Sequence, residues 1–389
     1  MRKGWEYKKL GEVCTIERGG SPRPINDYIT DSEDGINWIK IGDAQEGSKY
    51  IISTKEKIKP EGVKKSRFVH KGDFILSNSM SFGRPYILKV DGCIHDGWLV
   101  IHDNNDIFIK DYLYYLLANP TMYAKFSQLA IGGVVNNLNS SLVRKVEITI
   151  PPKSTQLAIV SELDKINELI RLKKEQLKDF DNLAQSLFYE MFGDPVENEK
   201  GWEVKKLKDI SREIGDGLHG TPEYSEVDTG CYFINGNNLE NGTIVIKENT
   251  KMVSEKTKAK HYIEMDDFTI LVSINGTLGK VAFYNGENVI LGKSACYIKL
   301  EAYNDKKYIF ELLKSDYFKR YAESECTGTT IRNVSLKSMR NFRCPLPPLP
   351  LQRLFAQRIE QIEREKSEVQ KSIQDFETLL ASRMQYWFE

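Results

Sequence analysis

The chain has 389 residues, and its 55 Lys and Arg balance its 55 Asp and Glu, so the formal net charge is zero. A neutral chain is not an indiscriminate polyanion binder, although a local basic patch can still bind DNA. The length suits two domains, and 40 % apolar with 28 % charged residues is typical of a folded chain. No apolar run could cross a membrane, and the opening MRKGWEYKKLGEV has no signal core. We therefore expect a cytoplasmic protein without a membrane partner.

No motif in the sequence indicates a catalytic site or a site for a metal, a nucleotide or a cofactor. The six cysteines form no Cys-x-x-Cys pair, which suits reduced thiols and argues against zinc, and the adjacent His95 and Asp96 have no recognisable third ligand. Residues 286–294 resemble a phosphate-binding loop, but five residues separate the glycines where that motif has four. Asn119-Pro120 continues as Thr-Met, unlike the motif with which amino-methyltransferases hold an extruded base, and no glycine-rich cofactor loop occurs. The sequence thus predicts neither an enzyme nor a cofactor, a metal site or catalytic residues.

In chain order, residues 1–150 predict a mixed α/β domain. Alternating apolar and polar residues favour strands at 36–43, 72–76, 92–102 and 146–150, with a helix at 110–127 that breaks at Asn119-Pro120. The loops between these elements are rich in glycine, serine, asparagine and arginine. Such side chains suit base edges and phosphates, although a surface turn with incidental charge would have the same composition.

A single long helix is predicted from Lys153 to Phe192, a stretch without Gly or Pro. Its apolar residues fall on a heptad with two rows, which are Leu163, Ile170, Leu177, Ala184 and Met191, and Ile166, Lys173, Phe180 and Leu187. Lys173 is the one polar member, and such a residue commonly sets the register of a coiled coil. A helix of this length spans about 60 Å, too long for one core, so its apolar face needs a partner helix.

The partner lies in the same chain, because the sequence contains two copies of one unit. Identical residues recur 196 positions apart: Pro151, Pro152, Gln156 and Phe180 return as Pro347, Pro348, Gln352 and Phe376. The GWE and KKL motifs of residues 4–10 also return at 201–207. The middles of the copies, roughly 20–100 and 215–300, barely align. A plain structural duplication remains open, but a retained frame with a varied interior favours two different recognition domains.

With these features together, the chain resembles the specificity subunit of type I restriction-modification enzymes. The resemblance rests on the GWE…KKL motifs at Gly4 and Gly201, the Pro-Pro…Gln helix openings at Pro151 and Pro347, and the segments 18–25 and 35–43. It implies an α+β protein in which two duplicated mixed α/β target recognition domains are separated by two long antiparallel coiled-coil helices with pseudo-two-fold symmetry. The implied segments are a first recognition domain (1–150), a central helix (151–195), a second recognition domain (196–346) and a C-terminal helix (347–389).

The resemblance also implies a function. Each recognition domain would read one half of an asymmetric, bipartite site in double-stranded DNA, and the chain itself would be non-catalytic. Two methylation subunits would bind around the helices and methylate adenines, and restriction and translocation subunits would join them for cleavage. Half-sites one helical turn apart lie roughly 35 Å from centre to centre, and such helices could hold two domains at a distance of that order.

Candidate DNA-contacting residues follow from the matching loops of the two copies. They are Arg18, Ser21, Arg23, Lys40, Asp43, Asn78, Ser81, Arg84 and Asn136 in the first domain, and His219, Thr221, Asn237, Asn238, Asn275, Lys280, Thr329 and Arg332 in the second. Arginine suits guanine or phosphate, and asparagine suits adenine or phosphate.

Two rival functions remain open. A structural coiled-coil interaction protein would have no DNA sequence preference even with partners present. A nuclease or methyltransferase acting alone would need a carboxylate cluster or cofactor loop, and the sequence shows neither.

Overall fold

The computed structural model describes residues 2–45, 47–78, 83–130, 138–327 and 332–389. The first domain begins with a short strand that pairs with its last one. Its strands are β1 (Glu6–Lys9), β2 (Cys14–Arg18), β3 (Ile29–Thr30), β4 (Ile36–Ile39), β5 (Tyr50–Ile51), β6 (Glu56–Ile58), β7 (Arg67–Val69), β8 (Phe74–Ser77), β9 (Pro85–Leu88), β10 (Gly92–Ile94), β11 (Trp98–Asp103) and β12 (Glu147–Ile150). Its helices are α1 (Leu10–Val13), α2 (Lys110–Ala118), α3 (Pro120–Ala130) and α4 (Ser140–Arg144).

Two five-stranded sheets form the body of this domain. Their strand orders are β2-β11-β8-β9-β5 and β3-β6-β4-β10-β7, and β1 pairs separately with β12. The predicted helix at 110–127 is present and breaks at Asn119-Pro120 as expected, because proline cannot continue the preceding helix. The single strand predicted at 92–102 is wrong. Residues His95–Gly97 interrupt it, so β10 lies in one sheet and β11 in the other.

The second domain follows a 40-residue helix, α5 (Lys153–Phe192), whose bounds agree with the prediction. Its strands are β13 (Glu203–Lys206), β14 (Ser211–Asp216), β15 (Tyr232–Ile234), β16 (Leu239–Glu240), β17 (Thr243–Ile244), β18 (Thr269–Ser273), β19 (Val281–Phe283), β20 (Val289–Leu291), β21 (Ala295–Leu300) and β22 (Arg343–Leu346). The remaining helices are α6 (Glu255–His261), α7 (Lys306–Lys314), α8 (Asp316–Glu325), α9 (Leu336–Asn341) and α10 (Leu349–Phe388).

The strand pairings of the first domain recur in the second. The order β14-β21-β18-β19 matches β2-β11-β8-β9, the parallel pair β15-β20 matches β4-β10, and β13-β22 matches β1-β12. The predicted duplication is therefore a duplication of fold, including the regions where the two sequences barely align.

The chain divides into two compact units, and each contains parts of both long helices. The first consists of Met1–Lys174 with Lys371–Glu389, and the second of Glu175–Gln370. Within the first unit Lys174 pairs with Glu377 at 2.9 Å, and Glu162 with Arg383, whose Nη2 lies 3.1 Å from the carboxylate. Residue numbers rise on one helix as they fall on the other, so the helices are antiparallel there.

The second unit shows the same antiparallel packing. Lys366 lies on α10, and its Nζ is 2.9 Å from Asp181 Oδ1 on α5. Further along, the rings of Phe188 and Phe355 pack edge to face with centroids 5.8 Å apart. The heptad residue Ala184 is buried and Phe180 packs against the same core, as the heptad predicts.

A buried glutamine attaches each long helix to its domain. Gln156 accepts a hydrogen bond from the Ile109 N–H at 2.8 Å, and its amide nitrogen donates to the carbonyls of Ile107 and Pro151. Gln352 does the same in the second unit, accepting from Asp305 N–H at 2.9 Å and donating to the Pro347 carbonyl. Both side chains are almost fully buried. Their recurrence in the sequence therefore reflects a structural attachment.

No helix in the described part of the chain is long and apolar enough to cross a membrane. All six cysteines are free thiols, and five of them are buried.

We predict that Gln156→Ala destabilises the first unit. The substitution leaves the Ile109 N–H and the Pro151 carbonyl without their partner in a dry environment, which costs about 1–3 kcal/mol of unfolding free energy. Urea unfolding of the full chain measures the effect, with Gln374→Ala on an exposed face of α10 as the control. Equal losses in the two variants would contradict the anchoring role.

Candidate nucleic-acid interface

The loops that carry the candidate residues are held by one main-chain frame, present in both domains. The Ser77 hydroxyl accepts from Arg84 N–H at 2.9 Å, and the Ser273 hydroxyl accepts from Lys280 N–H at the same distance. The N–H of Asn78 donates to Gly97 O at 2.9 Å, as Ile274 N–H does to Ser294 O at 3.0 Å. These matched bonds define which residues are equivalent where sequence alignment fails.

A short segment before β11, and its counterpart before β21, lies at the centre of this frame. We call residues 95–97 and 292–294 the junction loops. Each is entered by the same bond: His95 N–H donates to Ile39 O at 3.0 Å, and Gly292 N–H donates to Ile234 O at 2.8 Å. The adjoining strand end carries a glycine in both domains, because a Cβ on Gly19 or Gly217 would lie 2.2 or 2.0 Å from a backbone carbonyl oxygen.

In the first domain the junction loop brings together four of the predicted residues. Arg18 Nε donates to the Asp96 carbonyl at 2.9 Å, and the Asn78 amide donates to the same carbonyl at 3.0 Å. The Ser21 hydroxyl donates to Asp96 Oδ1 at 2.9 Å, and Arg23 lies 3.4 Å from Oδ2. His95 Nε2 is 2.9 Å from Oδ1. We call this set the Asp96 cluster.

The charges in the Asp96 cluster are fixed by these contacts. Burial alone would raise the pKa of Asp96, but the Ser21 hydrogen bond and the charges of His95, Arg18 and Arg23 outweigh it, so the pKa lies below its usual value. Burial lowers the pKa of His95 against the opposing effect of Asp96. His95 Nδ1 accepts from Gly97 N–H at 2.9 Å, which requires that nitrogen to be unprotonated. At neutral pH the cluster holds a carboxylate beside a neutral imidazole.

An open cleft of about 1110 Å³ adjoins the cluster. Lys40, another predicted residue, lines it and pairs with Glu56 across it. The guanidinium of Arg23 is largely exposed at its edge, with 81 % of the side chain accessible. The apolar wall includes Trp38 and Ile25. The cleft thus presents donors and acceptors to solvent beside an apolar wall.

The second domain places different side chains on the same frame. His219 Nε2 lies 2.7 Å from Asp216 Oδ2 at the end of β14, and 70 % of the histidine side chain is exposed. Thr221 and Asn237 are exposed as well. Asn275 donates to Asn333 at 3.4 Å, Lys280 lies 3.8 Å from Glu240, and Arg332 lies 3.6 Å from Glu323.

Two predicted residues use their side chains to cap a turn of the backbone. Asp43 accepts from the N–H groups of Lys40 and Lys55 at 2.8 and 3.2 Å, and so caps the turn after β4. The equivalent Asn238 is buried, accepts from Asn235 N–H at 3.0 Å and donates to the Val245 carbonyl. Contact with DNA stays a prediction for both.

Of the remaining four candidates, the structure describes one. Arg84 is exposed, and its N–H is the frame donor to the Ser77 hydroxyl. Ser81, Asn136 and Thr329 lie outside the described residues.

Sequence reasoning missed the residue that organises the first cluster. On sequence alone, His95 and Asp96 are considered only as metal ligands. Among the described residues, no group of three or more His, Cys, Asp or Glu is positioned to hold a metal ion. Asp216 and Lys293 were also missed. The signal that finds them is the register of β14 with β21, which places Asp216 at the position of Arg18.

The two domains share one fold and one set of matched loops, and comparison with known families identifies the class of protein. Residues 2–179 and 199–375 match the family described as the type I restriction modification DNA specificity domain. The chain belongs to this family, whose members are the non-catalytic specificity subunits of type I restriction-modification systems. The predicted family, the duplicated α+β fold with its long helices and the absence of an enzymatic role are thereby confirmed.

Individual relatives match either most of the chain or somewhat less than half of it. The MjaIX specificity subunit of Methanocaldococcus jannaschii is 25 % identical over 376 residues, which are 91 % of this chain and 85 % of that protein. The putative specificity subunit S.HindORF215P of Haemophilus influenzae is 32 % identical over 171 residues, 43 % of this chain and 41 % of that protein. A chain from a structural study of complex assembly and conformational transition in the type I R-M system aligns over 100 % of this chain and 98 % of its own length, with a TM-score of 0.69 at 17 % identity. That last likeness shows the fold.

We predict that Gly19→Ala destabilises the first domain, because its methyl group would meet the His95 carbonyl oxygen at 2.2 Å. Overpacking of this kind costs about 1–3 kcal/mol. Thermal unfolding measures it, and Gly42→Ala is the matched control since an added methyl there meets nothing within 4 Å. A variant as stable as the control would refute the close approach of strand and loop.

We also predict that the chain loses stability as the pH falls through about 6.5, the ordinary pKa of histidine. His95 has a lower pKa in the folded state, so the unfolded state binds more protons and is favoured by acid. The effect should shrink in His95→Asn, whose amide oxygen can still accept from Gly97 N–H but does not titrate. Unfolding free energies of both proteins between pH 8 and 5 provide the measurement, and identical pH profiles would contradict the assignment.

Proposed function

We propose that this chain reads an asymmetric bipartite DNA site, with one domain for each half-site, and directs adenine methylation and restriction by partner subunits. The observation that carries the proposal is one main-chain frame that presents different polar side chains in the two domains. In equivalent places stand Arg18 and Asp216, and Ser21 and His219. Two domains of one fold with different surface donors and acceptors are suited to two different base sequences.

The proposal keeps residues 1–150 and 196–346 as the recognition domains, and residues 151–195 and 347–389 as spacer and partner-binding helices. Each long helix contributes to both compact units, which suits a spacer. Large apolar side chains on α5 are left exposed, among them Leu169, Leu172 and Leu183 at 42, 46 and 51 %. Two methylation subunits are the proposed partners at these helices, with restriction and translocation subunits joining them on DNA in the cytoplasm.

We predict that the chain, assembled with its methylation subunits, methylates adenine within a split motif of two unlike halves and a fixed gap. The physical reason is that each frame displays its own donors and acceptors. Mapping of methylated adenines on genomic DNA exposed to the complex measures the motif. Replacing residues 1–150 by the matching domain of another specificity subunit should change one half of the motif and leave the other half and the gap unchanged.

Several results would contradict this proposal. Methylation at a short continuous site would mean that the two domains do not read separate half-sites. No sequence preference from a complex shown to be assembled would favour a purely structural role for the helices. Methylation by the chain alone would indicate an enzyme. In each case the complex without the chain is the control.

A further inference from the structure

The two domains carry opposite charges at a pair of equivalent positions. In the first domain Arg18 ends β2, where it is paired in register with Leu99, and Asp96 lies in the junction loop. In the second domain Asp216 ends β14, where it is paired with Cys296, and Lys293 lies in the junction loop. Thus the strand end is basic and the loop acidic in one domain, and the arrangement is reversed in the other.

The acidic side chain is not needed to build the junction loop. Both loops make the same backbone bonds, from His95 N–H to Ile39 O and from Gly292 N–H to Ile234 O. In the second domain the loop is held without a carboxylate, because the Ser294 hydroxyl donates to Asn235 Oδ1 and accepts from Gly236 N–H, both at 2.9 Å. A purely structural aspartate would not move from the loop to the strand end while the backbone stays the same.

Each carboxylate keeps an oxygen available for a ligand. Asp96 Oδ1 is engaged by Ser21 and His95. Among the described residues, the side-chain partner of Oδ2 is Arg23, which lies 3.4 Å away on a side chain that is 81 % exposed. Asp216 uses Oδ2 for His219, and its Oδ1 has no side-chain partner within the described part of the second unit. A carboxylate offers about four acceptor sites, so both residues can accept a further hydrogen bond.

We propose that Asp96 and Asp216 are specificity-determining residues that each accept a hydrogen bond from the 4-amino group of a cytosine, with Arg18 and Lys293 placed to contact the paired guanine. This rests on the proposed reading of DNA by both domains. Carboxylates pair with the cytosine amino group in the major groove, and arginine or lysine pairs with guanine O6 and N7. The adenine amino group is less suited to a carboxylate because the acceptor N7 lies beside it. Because the acidic residue lies in the junction loop of the first domain and at the strand end of the second, the two domains would read a G·C pair with its two bases exchanged between the DNA strands.

The experiment uses the complete methyltransferase complex and a DNA library randomised at each position of the motif. Asp96→Asn should lower the preference for one cytosine in the half-site read by residues 1–150 by ~10-fold or more, and leave the other half-site unchanged. Asp216→Asn should do the converse. Asp91→Asn is the matched control, since Asp91 lies at the other end of β10 and is exposed; it should leave the motif intact.

A second measurement removes the 4-amino group of the cytosine instead of the carboxylate of Asp96. A duplex in which the assigned cytosine is replaced by pyrimidin-2-one lacks the 4-amino group. The wild-type complex should methylate it ~10-fold or more slowly than the normal site, whereas the Asp96→Asn complex should show little difference between the two. This comparison separates base contact from a general loss of folding or assembly.

The outcomes are distinct. If Asp96→Asn slows methylation equally at every site, or changes nothing, the inference is overturned. Should that variant fail to assemble, Asp216→Asn decides by the same criteria in the other half-site. A wild-type complex that methylates no bipartite motif removes the proposed function itself, and that result is seen before any variant is tested.

Discussion

The close crossing of a strand end over the carbonyl groups where a junction loop begins is the constraint on which the rest of each domain depends. At Gly19 and Gly217 the backbone passes a carbonyl oxygen so closely that no side chain fits. The approach lies where the chain leaves one sheet at the end of β10 and enters the other at β11, and the second domain repeats it between β20 and β21. Because main-chain groups and two matched serine hydroxyls make the frame, the other side chains above it are free to differ.

That division explains what the sequence predicts well and what it does not. The apolar periodicity of a helix predicts the bounds of α5. The repeat of the sequence predicts the duplication, and with it the equivalence of Gln156 and Gln352. The prediction of one continuous strand at 92–102 is wrong because it joins two apolar stretches across His95, Asp96 and Gly97, which separate them in the sequence. The interruption is imposed by a change of sheet, which is a tertiary effect, and it places Asp96 at the centre of the cluster.

Polar loops also have two uses that composition cannot separate. Asn78 and Asp43 have side chains of the type that contacts bases, yet one donates to the Asp96 carbonyl and the other caps a turn. Small polar side chains satisfy nearby backbone groups as readily as they bind a ligand. The equivalence of Asp43 with Asn238 was hidden because insertions shift the repeat from 196 to 195 residues there. Only the matched backbone bonds reveal it.

The charge balance of the cluster bears on how such a domain would recognise DNA. Arg18 and Arg23 lie beside a carboxylate that stays ionised, so part of the positive field that would attract phosphates is offset within the protein. Non-specific binding to DNA depends on that field and on the release of counterions. A neutral chain with offset arginines would therefore gain little from phosphates alone, and in the proposed recognition of DNA a larger share of the binding free energy would come from donors and acceptors that match the bases. This balance favours discrimination between sites over affinity for DNA in general, which is the property that a specificity subunit requires of its recognition domains.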